Sequence, residues 1–157
     1  MKRTTDHALR EHLSELLEGK SAHIDLASVL DGFPVDEINV RVGGSPHTGW
    51  ELLEHMRIAQ WDILEFTTNS KHESPPWPDG YWPAEDGTSE TWRASSEQTL
   101  AALDELRRLA SDESVDLFAP IEHGDGQTVL REILLAADHS AYHLGQLMLV
   151  RKMLEHK

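Results

Sequence analysis

Cysteine is absent from this 157-residue chain. That absence excludes disulfide staples, thiolate metal centres and a cysteine nucleophile, and nothing points to the oxidising compartments where disulfides persist. Any metal site must therefore be built from His, Asp or Glu. Long apolar runs are missing too. The opening stretch MKRTTDHALREHLSELLEGK is charged and amphipathic, without the apolar segment of a signal peptide, and no later run approaches bilayer length. A soluble, cytoplasmic chain with no membrane partner is expected. Basic residues are few, 14 against 28 acidic, for a formal net charge of −14. Such a chain repels phosphate backbones at long range, which argues against nucleic acid as a partner. The charge itself reads as a solvated surface. No repeat of fixed period occurs, and the length suits one domain over residues 1–157, large enough to need no covalent staple.

What is present is mostly helical spacing. TTDHALREHLSELLEG places Leu9, Leu13, Leu16 and Leu17 on a helical stripe and ends on Gly19, which predicts a first helix with these leucines inward. SAHIDLASVLDGFP predicts a short helical turn capped by Ser21 and closed by Gly32 and Pro34, followed by the irregular VDEINVRVGGSP. From Thr48, TGWELLEHMRIAQWDILEFTTN runs for about six turns, with Leu52, Leu53, Met56, Ile63 and Leu64 as its core stripe.

The stretch SKHESPPWPDGYWPAEDGTSE, with its four prolines, cannot be regular helix, and its aromatic residues predict a long ordered loop rather than a linker. SETWRASSEQTLAALDELRRLAS predicts a third long helix with Leu100, Leu103 and Leu106 inward, and DLFAPIEHGDGQ a connection. The last helix is expected from Gln127 to about Glu155. It is apolar round most of its circumference, hence expected to be the most buried. Four long helices predict an all-α four-helix bundle with a long irregular loop between the second and third of them.

Within that last helix, ADHSAYHLGQ carries a polar stripe. His143 lies about 40° round from His139, and Gln146 about 20° to its other side, so all three point the same way. An HxxxH pair alone is more often two satisfied histidines than a metal site. Here the pair lies on a buried helix, where unpartnered imidazoles are costly, and a third histidine, His55, occupies the apolar WELLEHMRIAQW of another long helix. Three imidazoles from two facing helices can hold a divalent metal on one side and leave the other open, where a water or thiol pKa could be lowered or a carbonyl polarised. Asp138 points about 100° away from His139 and supplies no fourth ligand. Gln146 is placed as a hydrogen-bond partner to a ligating histidine, or as a weak fourth contact.

Those same residues carry a resemblance. LLEHM, with His55, and DHSAYHLGQ, with His139, Tyr142, His143, Gly145 and Gln146, together with PPWPDGYWP and the run from LFAPIEHGDGQ onward, resemble the DinB superfamily of DinB/YfiT-like metal-dependent enzymes. The resemblance implies a four-helix bundle with a divalent metal (Zn, Ni, Fe or Mn) on His55, His139 and His143. It further implies either a thiol S-transferase or isomerase that uses a low-molecular-weight thiol such as bacillithiol or mycothiol, or a metal-dependent hydrolase. A homodimer and a small-molecule substrate accompany that reading. The transferase is placed slightly ahead, and a metal-containing stress-response or ligand-binding module without turnover stands as the alternative outside catalysis.

Other candidates are assigned more ordinary roles. His47 follows Pro46 and is expected in the cap region before the second long helix. His123 falls in the loop before the last helix, where Asp125 or Gly126 is the expected N-cap. His7, His12, His23, His72 and His156 are expected to be exposed. Glu54 points about 100° from His55 and is expected to face solvent or another helix rather than serve as a base. The five tryptophans are expected chiefly to cover the bundle, with Trp77, Tyr81 and Trp82 as candidates for an apolar substrate wall.

Overall fold

The computed structural model describes residues 4–156, and these form five α-helices without a strand. They are α1 (Thr5–Glu18), α2 (Leu26–Asp31), α3 (Gly49–Thr68), α4 (Ser89–Ser111) and α5 (Val129–Glu155). Four long helices form the bundle. The short α2 lies in the crossing between the first two long helices and packs against α4 and α5.

Each of the five α-helices begins on a residue whose side-chain oxygen accepts from the backbone of the first turn. Thr4 accepts from the His7 amide, Asp25 from Ser28, Thr48 from Glu51, Thr88 from Thr91 and Thr128 from Arg131. Each such cap contributes about 1 kcal/mol. Two starts correct the sequence expectation. Asp25, not Ser21, caps α2, because only a residue directly before the helix can reach its first-turn amides. Thr128, not Asp125 or Gly126, caps α5. Here the Ile121 amide donates to the Gln127 carbonyl, tying the preceding chain into a bridge that delays the helix. Gly126 serves that turn instead, at φ 104°, a conformation open to glycine.

The core gathers Leu13 and Leu17 of α1, Leu52, Leu53, Met56 and Ile63 of α3, Leu103 and Leu106 of α4, and Ile133, Leu147 and Val150 of α5. Leu16 departs from its expected place and is half exposed, while Leu100 is only partly buried. Both line a cavity of about 290 Å³ between α1, α4 and α5, which takes the place of a packed neighbour. The last helix is also less buried than its composition suggests. It leaves Leu134, Tyr142, Leu149 and Met153 exposed, and α3 buries the larger share of its own residues.

A buried polar tie joins α1 to the end of α4. The buried Arg10 of α1 donates to the carbonyls of Ala110, Asp112 and Val115, closing the C-terminal end of α4 onto α1, and its Nε donates to Asp6. Among the described residues no helix is long and apolar enough to cross a membrane.

Candidate metal centre

The contact between α3 and α5 brings the expected histidines together. His55 enters from α3, while His139 and His143 stand one turn apart on α5, and one potential ligand atom from each lies within 4.8 Å of the others. His55 and His143 are buried, His139 partly so. The ring centroids are 4.5 to 5.0 Å apart, and the Nε2 atoms of His139 and His55 approach to 3.1 Å. Two imidazole nitrogens bound to one tetrahedral zinc at about 2.0–2.1 Å sit roughly 3.3 Å from each other. The spacing is therefore close to that of a ligand pair.

Two of the imidazoles have their tautomers set from outside the cluster. His55 Nδ1 donates to the Tyr81 carbonyl at 2.8 Å, and His143 Nδ1 donates to Gln146 Oε1 at 2.7 Å. A neutral ring that gives its proton at Nδ1 presents a bare lone pair at Nε2. His139 differs: its Nδ1 is buried with no hydrogen-bond partner. Without a cation, the proton between the two Nε2 atoms must come from His139, which leaves its Nδ1 bare and unsolvated. Donor chemistry and geometry alike thus position these three histidines to bind a metal ion.

The electrostatics favour the ligating form. Burial holds the pKa of His55 below its usual value, against a smaller opposing effect of the hydrogen bond to Tyr81. His143 is lowered in the same way, with Gln146 opposing. Burial, reinforced by its two neighbours when charged, pushes His139 down to about 4. All three are neutral near pH 7.

The long loop supplies one wall. Trp82 lies on His55 with centroids 4.0 Å apart and planes 4° from parallel, and it stacks at 4.0 Å on His47 as well. His47 therefore does more than precede a cap. With Gln146 it lines a groove of about 330 Å³ whose other walls include Leu52, Leu149, Val150 and Met153. Of the proposed aromatic wall, Trp82 stacks on His55, Tyr81 reaches His55 through its carbonyl, and Trp77 is three-quarters exposed, with its ring against that of Tyr81. Trp50 and Trp92 take the covering role in the core.

The remaining histidines divide. His7, His12, His23 and His156 are exposed, and so is His123, whose Nε2 is paired with the Phe66 carbonyl. His72 is a correction: its side chain is only 5% exposed, and its Nε2 lies 2.7 Å from Asp62 Oδ1. The other carboxylate oxygen of Asp62 accepts from the Tyr81 hydroxyl at 2.6 Å. Burial and that carboxylate push the Tyr81 phenol up to about 12, so it stays a donor. Glu54 turns to α4, where it accepts from Ser95 Oγ, and to Arg57 on its own helix. Asp62 and His72 escaped sequence reading because their meeting depends on the return path of an irregular loop. His47 carried no helical signal, because it stands just before the N-cap Thr48 and only the path of the loop brings Trp82 onto it.

No curated protein and no solved structure matches this chain. Its sequence matches the DinB superfamily over residues 20–147, well over half of its length. The matched span contains His55, His139, His143 and Gln146 on the two helices that frame the cluster, and the chain belongs to the DinB superfamily.

Proposed function

We propose that His55, His139 and His143 hold a divalent metal ion (Zn, Ni, Fe or Mn) and that the protein is a thiol S-transferase, joining a low-molecular-weight thiol to a small electrophile. The observation that carries the reading is the convergence of three neutral imidazoles, with no carboxylate in the cluster to complete the coordination shell. A donor set of three nitrogens leaves room for an exchangeable ligand, as catalytic sites do. An ion held there supplies the Lewis acidity that favours thiolate over thiol near neutral pH. Gln146 orients His143, and Tyr81 orients His55. The neighbouring groove, largely apolar and lined by no Asp, Glu, Lys or Arg, suits the body of a neutral electrophile.

In the reaction the thiol gives its proton to solvent, a C–S bond forms, and the leaving group departs from carbon with its electron pair, so thiol and electrophile give a thioether, the leaving-group anion and a solvated proton. The reading includes one domain over residues 1–157 and a cytoplasmic setting, where small thiols are kept reduced. It also includes a homodimer.

The test is incubation of the metal-loaded protein, purified without a histidine tag, with an electrophile and a panel of low-molecular-weight thiols. A thioether product that chelation abolishes supports the transferase. Hydrolysis of an ester or amide without added thiol, lost in His55→Ala, would replace it with a hydrolase. Failure of both reactions with metal bound would favour a ligand-binding module.

A further inference from the structure

We propose that Asp62 is a positioning residue for this centre, clamping Tyr81 so that the Tyr81 backbone carbonyl holds the imidazole of His55 with Nε2 toward His139 and His143. The inference rests on the reading of His55 as a ligand, and deepens it.

Asp62 stands seven residues beyond His55 on α3, about two turns along the helix and about 20° round from it. Each of its oxygens has one partner, His72 Nε2 at 2.7 Å and the Tyr81 hydroxyl at 2.6 Å. The carboxylate is 13% exposed and the imidazole 5%. Short bonds to a carboxylate away from water are the stronger kind. Both partners lie in the irregular segment between α3 and α4, His72 near its start and Tyr81 beyond three of its four prolines. One side chain thus ties two points of the segment back to the helix that carries His55.

What the tie fixes is the plane and tautomer of that ring. Tyr81 places its carbonyl 2.8 Å from His55 Nδ1, and the next residue, Trp82, lies flat on the imidazole at 4.0 Å. Consecutive loop residues therefore grip the ring by edge and face. A loop released from Asp62 keeps neither contact in register, and His55 then samples orientations and tautomers that do not ligate. Partners outside the ligand shell commonly change metal affinity by about 10 to 100-fold. Acting through one further residue, Asp62 is placed at the lower end of that range.

The experiment uses the full chain with Asp62→Asn, Tyr81→Phe and the double substitution, alongside Arg10→Ala as a destabilised control remote from the site. In the metal-free proteins, 1H–15N spectra of the histidine side chains read the His55 tautomer. A single Nδ1–H form is expected in the unsubstituted chain, with averaged tautomers in Asp62→Asn and Tyr81→Phe and the single form retained in Arg10→Ala. Competition of Zn2+ against a chelator should show about tenfold weaker binding in either site variant, and little more in the double because both act in one network. Tyr81→Phe keeps ring and backbone, so it reports even where Asp62→Asn fails to fold. A single unchanged His55 tautomer in Tyr81→Phe overturns the proposal, and so does an affinity loss matched by Arg10→Ala. If the unsubstituted chain binds none of Zn2+, Ni2+, Fe2+ and Mn2+, the metal reading fails, while the metal-free tautomer still decides the clamp.

Discussion

His139 and His55 hold their Nε2 atoms 3.1 Å apart, although 84 positions separate them in the chain. The hydrogen bond from His55 to Tyr81 commits the His55 proton to Nδ1, so without a cation the proton between the rings belongs to His139. The buried Nδ1 of His139 is then left bare.

A divalent ion should therefore stabilise the fold. With Zn2+ at about 100 times its Kd the gain is about 2.7 kcal/mol, read as a rise in melting temperature that a chelator reverses. The combined His139→Ala, His143→Ala variant should remain folded, carry no metal and show no Zn2+-dependent rise. A rise that persists in that variant would place the ion elsewhere.

Acid should act on the metal-free protein through the same rings. In the unfolded chain each histidine titrates near 6.5, whereas burial lowers all three in the fold and His139 reaches about 4. Between those values the unfolded chain takes up protons that the folded chain refuses. This contribution to stability is complete above about pH 6.5 and drains away as pH falls towards 4. Urea midpoints should decline across that interval, and a flat profile would contradict the burial argument. Zn2+ binding needs neutral rings, so its loss should also be displaced to more acidic pH than ordinary histidines would give.

Gln146→Ala should weaken Zn2+ binding by about 10 to 100-fold, because the amide orients His143 without being one of the clustered imidazoles. Gln146→Glu keeps an acceptor for His143 Nδ1 and should preserve most of the affinity. Calorimetric titration separates the cases, and a loss equal to that of His143→Ala would promote Gln146 to a ligand.

Arg10→Ala should destabilise the bundle by about 2–3 kcal/mol, since it strips three carbonyls near the end of α4 of a charged donor. Denaturant melts measure this directly. Arg10→Lys should recover only part of the loss, because one ammonium cannot reproduce the spread of a guanidinium.

The bundle and its three central histidines were legible because both follow helical periodicity. Leu52, Leu53, Met56 and Ile63 share a side of α3, and His139 and His143 share a side of α5. What escaped depends on contacts without a period. Trp82 reaches His55, and His72 reaches Asp62, only through the path of a loop whose prolines say where helix is forbidden but not where the chain goes instead. Leu16 misled for a related reason: helical spacing names a stripe, but a cavity leaves part of the stripe unpacked.

The histidines that meet across α3 and α5 also bear on how the chain could be held together. Joining positions 55 and 139 through a shared ion would close a long loop that contains α4 and the whole aromatic segment. Loop closure costs the unfolded chain entropy that grows with the logarithm of its length, so such a link acts as a reversible cross-link. A chain with no cysteine would thus acquire a staple that the cell could fasten or release through its metal supply.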